Sequence, residues 1–506
     1  MYYKKQKNFI FLILKDFIKR DYKLISILII LRLFYIILFN NETGDLLLYD
    51  KIANGLINGC GFGILLENGN CTSVVGHFFP AFFYLIAISY KIGIGIKGLA
   101  CLISLFQLSS IIYLSKTIRK YTKQDNLAKF VMIIMAISPL TLGWNRLILI
   151  EPILTGFSIL FLSEYIKTFY EGFTNKNFTK LIIIQIISIY LKPTAILFTL
   201  PLIVLGLKKL NILDLFKRLI LWALIISLAV LPWGLRNISE GGRSPFTSVL
   251  QSNFLQKNSG GYIRWLSSWV ITEHEQAING FPVSCMPDEI ARNITFSTCD
   301  LKIQKGKLNP FISSKEIEIA QKIVENKDLF TAQDNNFFEK ETISRRKNLG
   351  FLGLFALYFS KIISLLLNPF NSWGWPIEIK ANLLNYSKYN IISNIIKTVS
   401  NPEILIRATL KLFLFFYRLI FFYIFLRFTF KRFTLNRIFL FREYSLNQLL
   451  KISSFLFLMG TIYLIAIQYP SLEHRYISVV IPWLELSILI SLNELSRLRF
   501  DPKRSF

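Results

Sequence analysis

Histidine is nearly missing from this 506-residue chain: His77, His274 and His474 are the only three, far apart, which excludes a histidine-rich zinc site. The five cysteines show no metal-ligand spacing either, so a thiolate zinc or iron–sulfur centre is not expected. Acidic residues are scarce: 31 Asp and Glu stand against 58 Lys and Arg, for a net charge of +27. No internal repeat is visible. The N-terminus lacks a leader with a small-residue cleavage site, so the first apolar run is expected to stay as a helix.

What is abundant is apolar sequence. Hydrophobic residues make up 53% of the chain and the mean hydropathy is +0.47. The apolar residues fall in blocks of roughly 15–23 bounded by basic clusters, the pattern of bilayer-spanning helices. An excess of positive charge in a soluble protein would suggest nucleic acid. Here the basic residues gather in short loops and at both ends: Lys4, Lys5 and Lys7; Lys116, Arg119, Lys120, Lys123 and Lys129; Lys208, Lys209, Lys217 and Arg218; Lys431, Arg432, Arg437 and Arg442; Arg497, Arg499, Lys503 and Arg504. That is a positive-inside distribution, with anionic membrane lipids as partners and no nucleic acid. The expected fold is an all-α polytopic membrane protein of about 10–12 transmembrane helices with additional interfacial helices and an outer (periplasmic) subdomain.

The chain divides into an N-terminal transmembrane module over 1–233, a hydrophilic outer-face region over 234–349, and C-terminal interfacial and transmembrane helices over 350–506. The first span, 22–39, leads into an outer loop over 40–79. Orientation makes 80–94 an interfacial helix, because 98–115 alone supplies the crossing needed to bring Lys116–Lys129 inside. Further spans are expected at 130–144, 152–169, 178–191, 194–207, 217–233, 406–430, 452–468 and 476–493, leaving both termini cytoplasmic. The run 350–367 reads as interfacial or re-entrant, and Trp265 and Trp269 read as interface anchors of the outer region. Cys60 and Cys71 share the first outer loop, while Cys285 and Cys299 share the large one. Two local pairs on the oxidising side suggest two disulfides, chance placement being the alternative, and Cys101 is left alone in a span.

The stretch 41–62 carries the strongest chemical signal. Asp45 follows Gly44 at the mouth of the first span; Tyr49, Ala53 and Leu56 form one face of a short helix, which Gly59 and Gly61 end. An acid there also suits a simple N-cap. Further polar residues sit at the outer ends of other spans: Arg146 and Glu151, Lys192, Arg236 after Pro232-Trp233, and His474-Arg475-Tyr476. Ionisable groups at that depth are costly unless paired or functional, although Arg and Lys at span ends also snorkel to headgroups. One carboxylate among several cations suits a reaction on a phosphate-bearing lipid.

These residues carry a resemblance. Gly44-Asp45, Tyr49, Ala53, Leu56, Gly59 and Gly61-Phe62 resemble the first-loop signature of GT-C fold glycosyltransferases, in the bacterial family 39-like branch that includes aminoarabinose and protein mannosyl transferases. Gly76-His77-Phe78-Phe79-Pro80, Ser138-Pro139 through Glu151-Pro152, Pro232-Trp233-Gly234-Leu235-Arg236-Asn237 and His474-Arg475-Tyr476 with Pro482 are similar to later segments of that branch, in the same order. The chain departs from it by lacking a Pro-Gly-Tyr-Pro cluster near 75–82 and an Asp-x-Asp in the second loop. No cofactor is required by the pattern, and a divalent metal is left open.

The resemblance implies a glycosyltransferase of the bacterial inner (plasma) membrane, active on its outer face. It would move a sugar from a polyprenyl-phosphate donor to a hydroxyl of a lipid, glycan or protein acceptor, with inversion. Asp45 would be the general base. Arg146, Arg236 and Arg475 would hold the donor phosphate, with Lys192 and His474 secondary and Glu151, Tyr49 and Tyr476 in support. The competing class is a transporter or flippase for a lipid-linked sugar, which would use the same cations without bond cleavage.

Overall fold

The computed structural model describes residues 2–39, 44–66, 68–74, 79–240, 260–268, 315–316, 318–319, 331–367, 373–376, 402–430, 444–468 and 474–500. Within these the protein is helical apart from one antiparallel hairpin, β1 (Gly63–Leu65) with β2 (Cys71–Ser73), in which Gly63 faces Ser73. Five segments are long and apolar enough to cross a membrane: Asp21–Phe39, Gly95–Thr122, Asp125–Arg146, Ile212–Ser239 and Pro402–Thr429. An all-α membrane protein is therefore what the chain builds.

The N-terminal half runs α1 (Tyr2–Phe39), α2 (Gly44–Ile57), the hairpin, α3 (Ala81–Lys91), α4 (Gly95–Thr122), α5 (Asp125–Ile137), α6 (Pro139–Leu142), α7 (Ile150–Glu171), α8 (Asn175–Leu191), α9 (Thr199–Lys209) and α10 (Ile212–Ser239). Helix α3 has eleven residues, about 16 Å, roughly half the hydrocarbon thickness, so it cannot cross alone. Helix α7 is the axle of the bundle. It is buried on nearly every side, with Phe161, Leu162, Tyr165 and Ile166 fully enclosed. It packs along α4, where Phe106 lies against the bare flank of Gly156; a Cβ there would stand 2.6 Å from that ring.

Sequence order alternates between two ends of this bundle. Phe39, Arg146, Glu151 and Lys192 share one end, and contacts of the Arg146 guanidinium with the Phe39 carbonyl and of Lys192 with Glu151 join them. Asp21, Arg119, Asp125 and Lys129 share the other, in an ion network that ties α1, α4 and α5. A helix that starts at one end finishes at the other because the connections are short.

The C-terminal half contributes α11 (Gly260–Ser267), α12 (Ala332–Leu367), α13 (Pro402–Phe430), α14 (Leu446–Gln468) and α15 (Ile481–Phe500). Helix α12 kinks at Gly350, whose φ of 61° is left-handed, so the polar first half and the apolar 351–367 take different directions. Helix α15 is buried over Ile481–Ser491: Trp483, Leu484 and Leu486 are inaccessible, and the Trp483 indole donates to Ser158 on α7. At its far end Asn493 donates to Gln124, between α4 and α5.

Two expectations change. The span expected over 217–233 does not stop at Pro232-Trp233: α10 carries Pro232 in its interior and continues to Ser239. The proline forfeits one helical hydrogen bond, but side chains beyond it are anchored on the hairpin that follows α2, as described below. Trp265 is not a lipid-facing anchor. It is 2% exposed, stacks with Tyr262 and Phe338, and donates its indole N–H to Glu316; a buried tryptophan needs such an acceptor. Trp269, His274, Cys285 and Cys299 lie outside the described residues.

The hairpin that follows α2 is held twice. Cys60 and Cys71 form a disulfide, closing eleven residues at a Cα separation of 5.3 Å. Gly55 of α2 touches β1 so closely that a Cβ would lie 2.0 Å from the Gly63 carbonyl oxygen. Replacing both Cys60 and Cys71 by Ser is expected to weaken this loop by about 2–3 kcal/mol, read as a lowered thermal midpoint of the purified protein. The same midpoint in oxidised and reduced wild type would contradict a stabilising bridge. Gly55→Ala should push the hairpin off α2 at about 1–3 kcal/mol, whereas substitution of Gly69 by Asn in the hairpin turn, where a Cβ meets nothing within 4 Å and Asn tolerates a positive φ, should cost far less.

Candidate functional site

Glu151 opens α7, where an acid complements the helix dipole. Pro152 follows at a position whose N–H would have no helical partner anyway. Lys192 comes directly after α8 in an extended conformation, which Pro193 enforces on the residue before it. These two local choices meet. The Lys192 ammonium lies 2.5 Å from Glu151 Oε1, with the Lys192 and Glu151 side chains 17% and 3% exposed.

A third strand of chain completes the cluster. The 3-10 turn His474–Ile477 precedes α15. Ser478 ties it down, donating through Oγ to the Arg475 carbonyl at 2.7 Å and lying 3.4 Å from Thr155 Oγ1, one helical turn along α7 from Glu151. Lys192 Nζ sits 4.1 Å from the centre of the Tyr476 ring, and the Arg475 guanidinium 5.1 Å from it. The Arg475 charge acts on Glu151 alongside that of Lys192. Lys192 thus pairs directly with the buried carboxylate, and Arg475, from a separate segment, acts on it electrostatically. Among the described residues its second oxygen, Oε2, is buried without a hydrogen-bond donor, and a buried carboxylate oxygen in that state calls for a partner.

Helix α2, which begins with Gly44-Asp45, packs against α3 and the hairpin. Leu46, Tyr49, Ile52 and Ala53 belong to the same buried apolar group as Ile150 and Ile153, which flank Glu151, and Leu191, which precedes Lys192. The Tyr49 ring meets Phe82 and Phe83 of α3 edge-on at 5.5 and 5.3 Å. Of the face read from the sequence, Tyr49 and Ala53 are buried and Leu56 is half-buried. The Asp45 position is the second residue of α2; its side chain, that of His474, and all of Gly76, His77 and Phe78 lie outside the described residues.

Two expected phosphate ligands have other partners. The Arg236 guanidinium donates to the carbonyls of Val74 at 2.5 Å and Phe62 at 2.8 Å and lies over the rings of Trp233 and Phe62. Ser73 donates to Glu240 at 2.5 Å beside it. The tip of α10 therefore clamps both sides of the hairpin, which is why the helix outlives its proline. Arg146 donates to the Gly374 carbonyl at 2.5 Å and to the Phe39 carbonyl at 3.4 Å. Gly374 rests so close to Gly143 and Trp144 that a Cβ would come within 2.8 Å of them. Arg146 thus holds the 373–376 segment against the end of α1.

A second polar group was not anticipated. Arg32, 1% exposed in the middle of α1, donates to the carbonyls of Ala136 and Ser104 and to Gln107 Oε1 at 2.8–3.1 Å. Asn145 donates to the same Gln107 oxygen at 2.7 Å. Glu485 of α15 accepts from Ser138 and feels the Arg32 charge. The signal was present in the sequence: one ionisable residue within each of two apolar runs, which in a membrane marks a paired interior position.

Among the described residues no group of three or more His, Cys, Asp or Glu side chains could hold a metal ion. No family model, no curated protein and no solved structure matches this chain.

Proposed function

We propose that the protein is a membrane glycosyltransferase that moves a sugar from a polyprenyl-phosphate donor to an acceptor hydroxyl. The observation that carries this reading is the Glu151–Lys192–Arg475 cluster: two cations and an unsatisfied carboxylate oxygen at one end of the bundle, in the same packed group as the helix that starts with Asp45. In this reading the acceptor oxygen attacks the anomeric carbon as Asp45 takes its proton. The bond from that carbon to the phosphate oxygen breaks, and the departing lipid phosphate carries its charge onto Lys192 and Arg475. Glu151 Oε1 positions Lys192, and Oε2 is the acceptor for a sugar hydroxyl. Arg236 and Arg146 act through the backbone, fixing the hairpin and the 373–376 segment around the site. The basic residues at the opposite end of the bundle favour a cytoplasmic assignment for that end and an outer-face site.

Incubating the purified protein with radiolabelled polyprenyl-phosphate sugar tests the class directly. An enzyme releases unlabelled lipid phosphate as label passes to the acceptor. Protein-dependent movement of the intact donor across a vesicle bilayer, with no lipid phosphate released, would replace this reading by that of a transporter.

A further inference from the structure

A second ligand site lies at the other end of α10, and it does not depend on the glycosyl-transfer reading. A cleft of about 400 Å³, within the range of small-molecule sites, is lined by Asn175, Leu210, Asp214, Lys217, Arg218 and Leu221. We propose that it holds the phosphate headgroup of an anionic glycerophospholipid whose acyl chains lie along α10.

Charge is the first argument. The Arg218 guanidinium is seated 5.1 Å above the Phe178 ring and 5.9 Å from that of Phe173, so its plane is fixed at the wall of the cleft by buried aromatics rather than by an acid. Among the described residues neither Lys217 nor Arg218 forms an ion pair. The one carboxylate in the cleft, Asp214, accepts from the Asn211 side chain at 2.8 Å as part of the cap that starts α10. Two cations thus face a recess whose acid is engaged in holding the helix start.

The second argument is what adjoins the recess. From Lys217 onward α10 presents Ile220, Leu224, Leu228 and Leu231 outward, each 43–60% exposed. Only 17% of the apolar window of this helix is covered by the rest of the protein. In a crossing helix that stripe is covered by lipid tails. Arg218 and Arg236 are eighteen residues apart on one helix, about 27 Å, close to one hydrocarbon thickness. The cleft is therefore at headgroup depth, where a polybasic recess beside an apolar stripe selects negative headgroups. A free phosphate would match the cations and leave the stripe without an occupant.

Native mass spectrometry of the full-length protein, released from micelles carrying either phosphatidylglycerol or phosphatidylcholine of the same chain length, tests the site. The wild type should retain phosphatidylglycerol preferentially, and excess inorganic phosphate should not displace it. Lys217→Gln and Arg218→Gln should each weaken retention about fivefold and the double variant about thirtyfold. Arg218→Lys should keep most of it, and Lys123→Gln, an exposed cation elsewhere at the same end, should change nothing. If Arg218→Gln unfolds because its aromatic seat is lost, the exposed Lys217 still gives the fivefold reading. Equal retention of the two lipids, displacement by phosphate, or an equal loss with Lys123→Gln would overturn the proposal.

Discussion

Asp45→Asn is expected to reduce sugar transfer by about 10²–10⁴ while the protein inserts and folds as the wild type. The amide preserves the size of the side chain and any N-capping role, so α2 should form unchanged. What it removes is a group able to accept the acceptor proton. Helix α2 is held by contacts that do not involve position 45: Tyr49 between Phe82 and Phe83, Ile52 and Ala53 inaccessible, and Gly55 against the hairpin. A thermal midpoint equal to wild type together with lost turnover separates chemistry from folding. Full activity in this variant would remove the base assignment.

The second large effect concerns the Glu151–Lys192 pair. Lys192→Ala leaves a carboxylate that is almost fully enclosed with only Arg475 to answer it, and should destabilise the protein by about 3–5 kcal/mol. Glu151→Ala should cost less, because the Lys192 side chain retains 17% exposure and the face of Tyr476. The double variant should be more stable than the sum of the two losses predicts, since it removes both members of the buried pair together. Thermal unfolding of the four proteins in one detergent provides the cycle. Strict additivity would mean that the 2.5 Å contact carries no coupling, and the cluster would then not be a preorganised unit.

The Cys60–Cys71 bridge and the burial of Tyr49 and Ala53 were legible in the chain as local pattern. Of the polar residues grouped in the sequence at the span ends, Glu151 and Lys192 meet with Arg475 acting beside them, while Arg146 and Arg236 have carbonyl partners. Arg236 was not legible. A cation after Pro-Trp at a span end looks the same whether it meets a phosphate or a carbonyl, and its carbonyls belong to Phe62 and Val74, some 160–175 positions earlier. Arg146 is the same case, since its acceptor on Gly374 comes from a segment with no recognisable pattern of its own. Trp265 misled because tryptophan is as common at membrane interfaces as in packed cores, and only Glu316 decides between them. The Arg32–Gln107–Asn145 and Ser138–Glu485 contacts needed the packing of α1, α4 and α15 to be known.

The clamp formed by α10 gives the site a mechanical logic. The disulfide closes the hairpin that follows α2, and Arg236 and Glu240 fasten that hairpin to α10. Tyr35 lies 5.0 Å from the Trp375 ring, whose indole donates to the Pro139 carbonyl, so the end of α1 is locked to the segment beyond Arg146. A base at position 45 would then be carried on a rigid support, as catalysis by positioning requires.

The most direct measurement is the affinity of purified protein for polyprenyl phosphate, the product common to every reaction of this class, in the wild type, Asp45→Asn and Arg475→Ala. Asp45→Asn should bind as tightly as the wild type, and Arg475→Ala should bind about 10–100-fold more weakly, the worth of one charge-assisted contact. Arg475→Ala binding the lipid phosphate as well as the wild type would contradict the account.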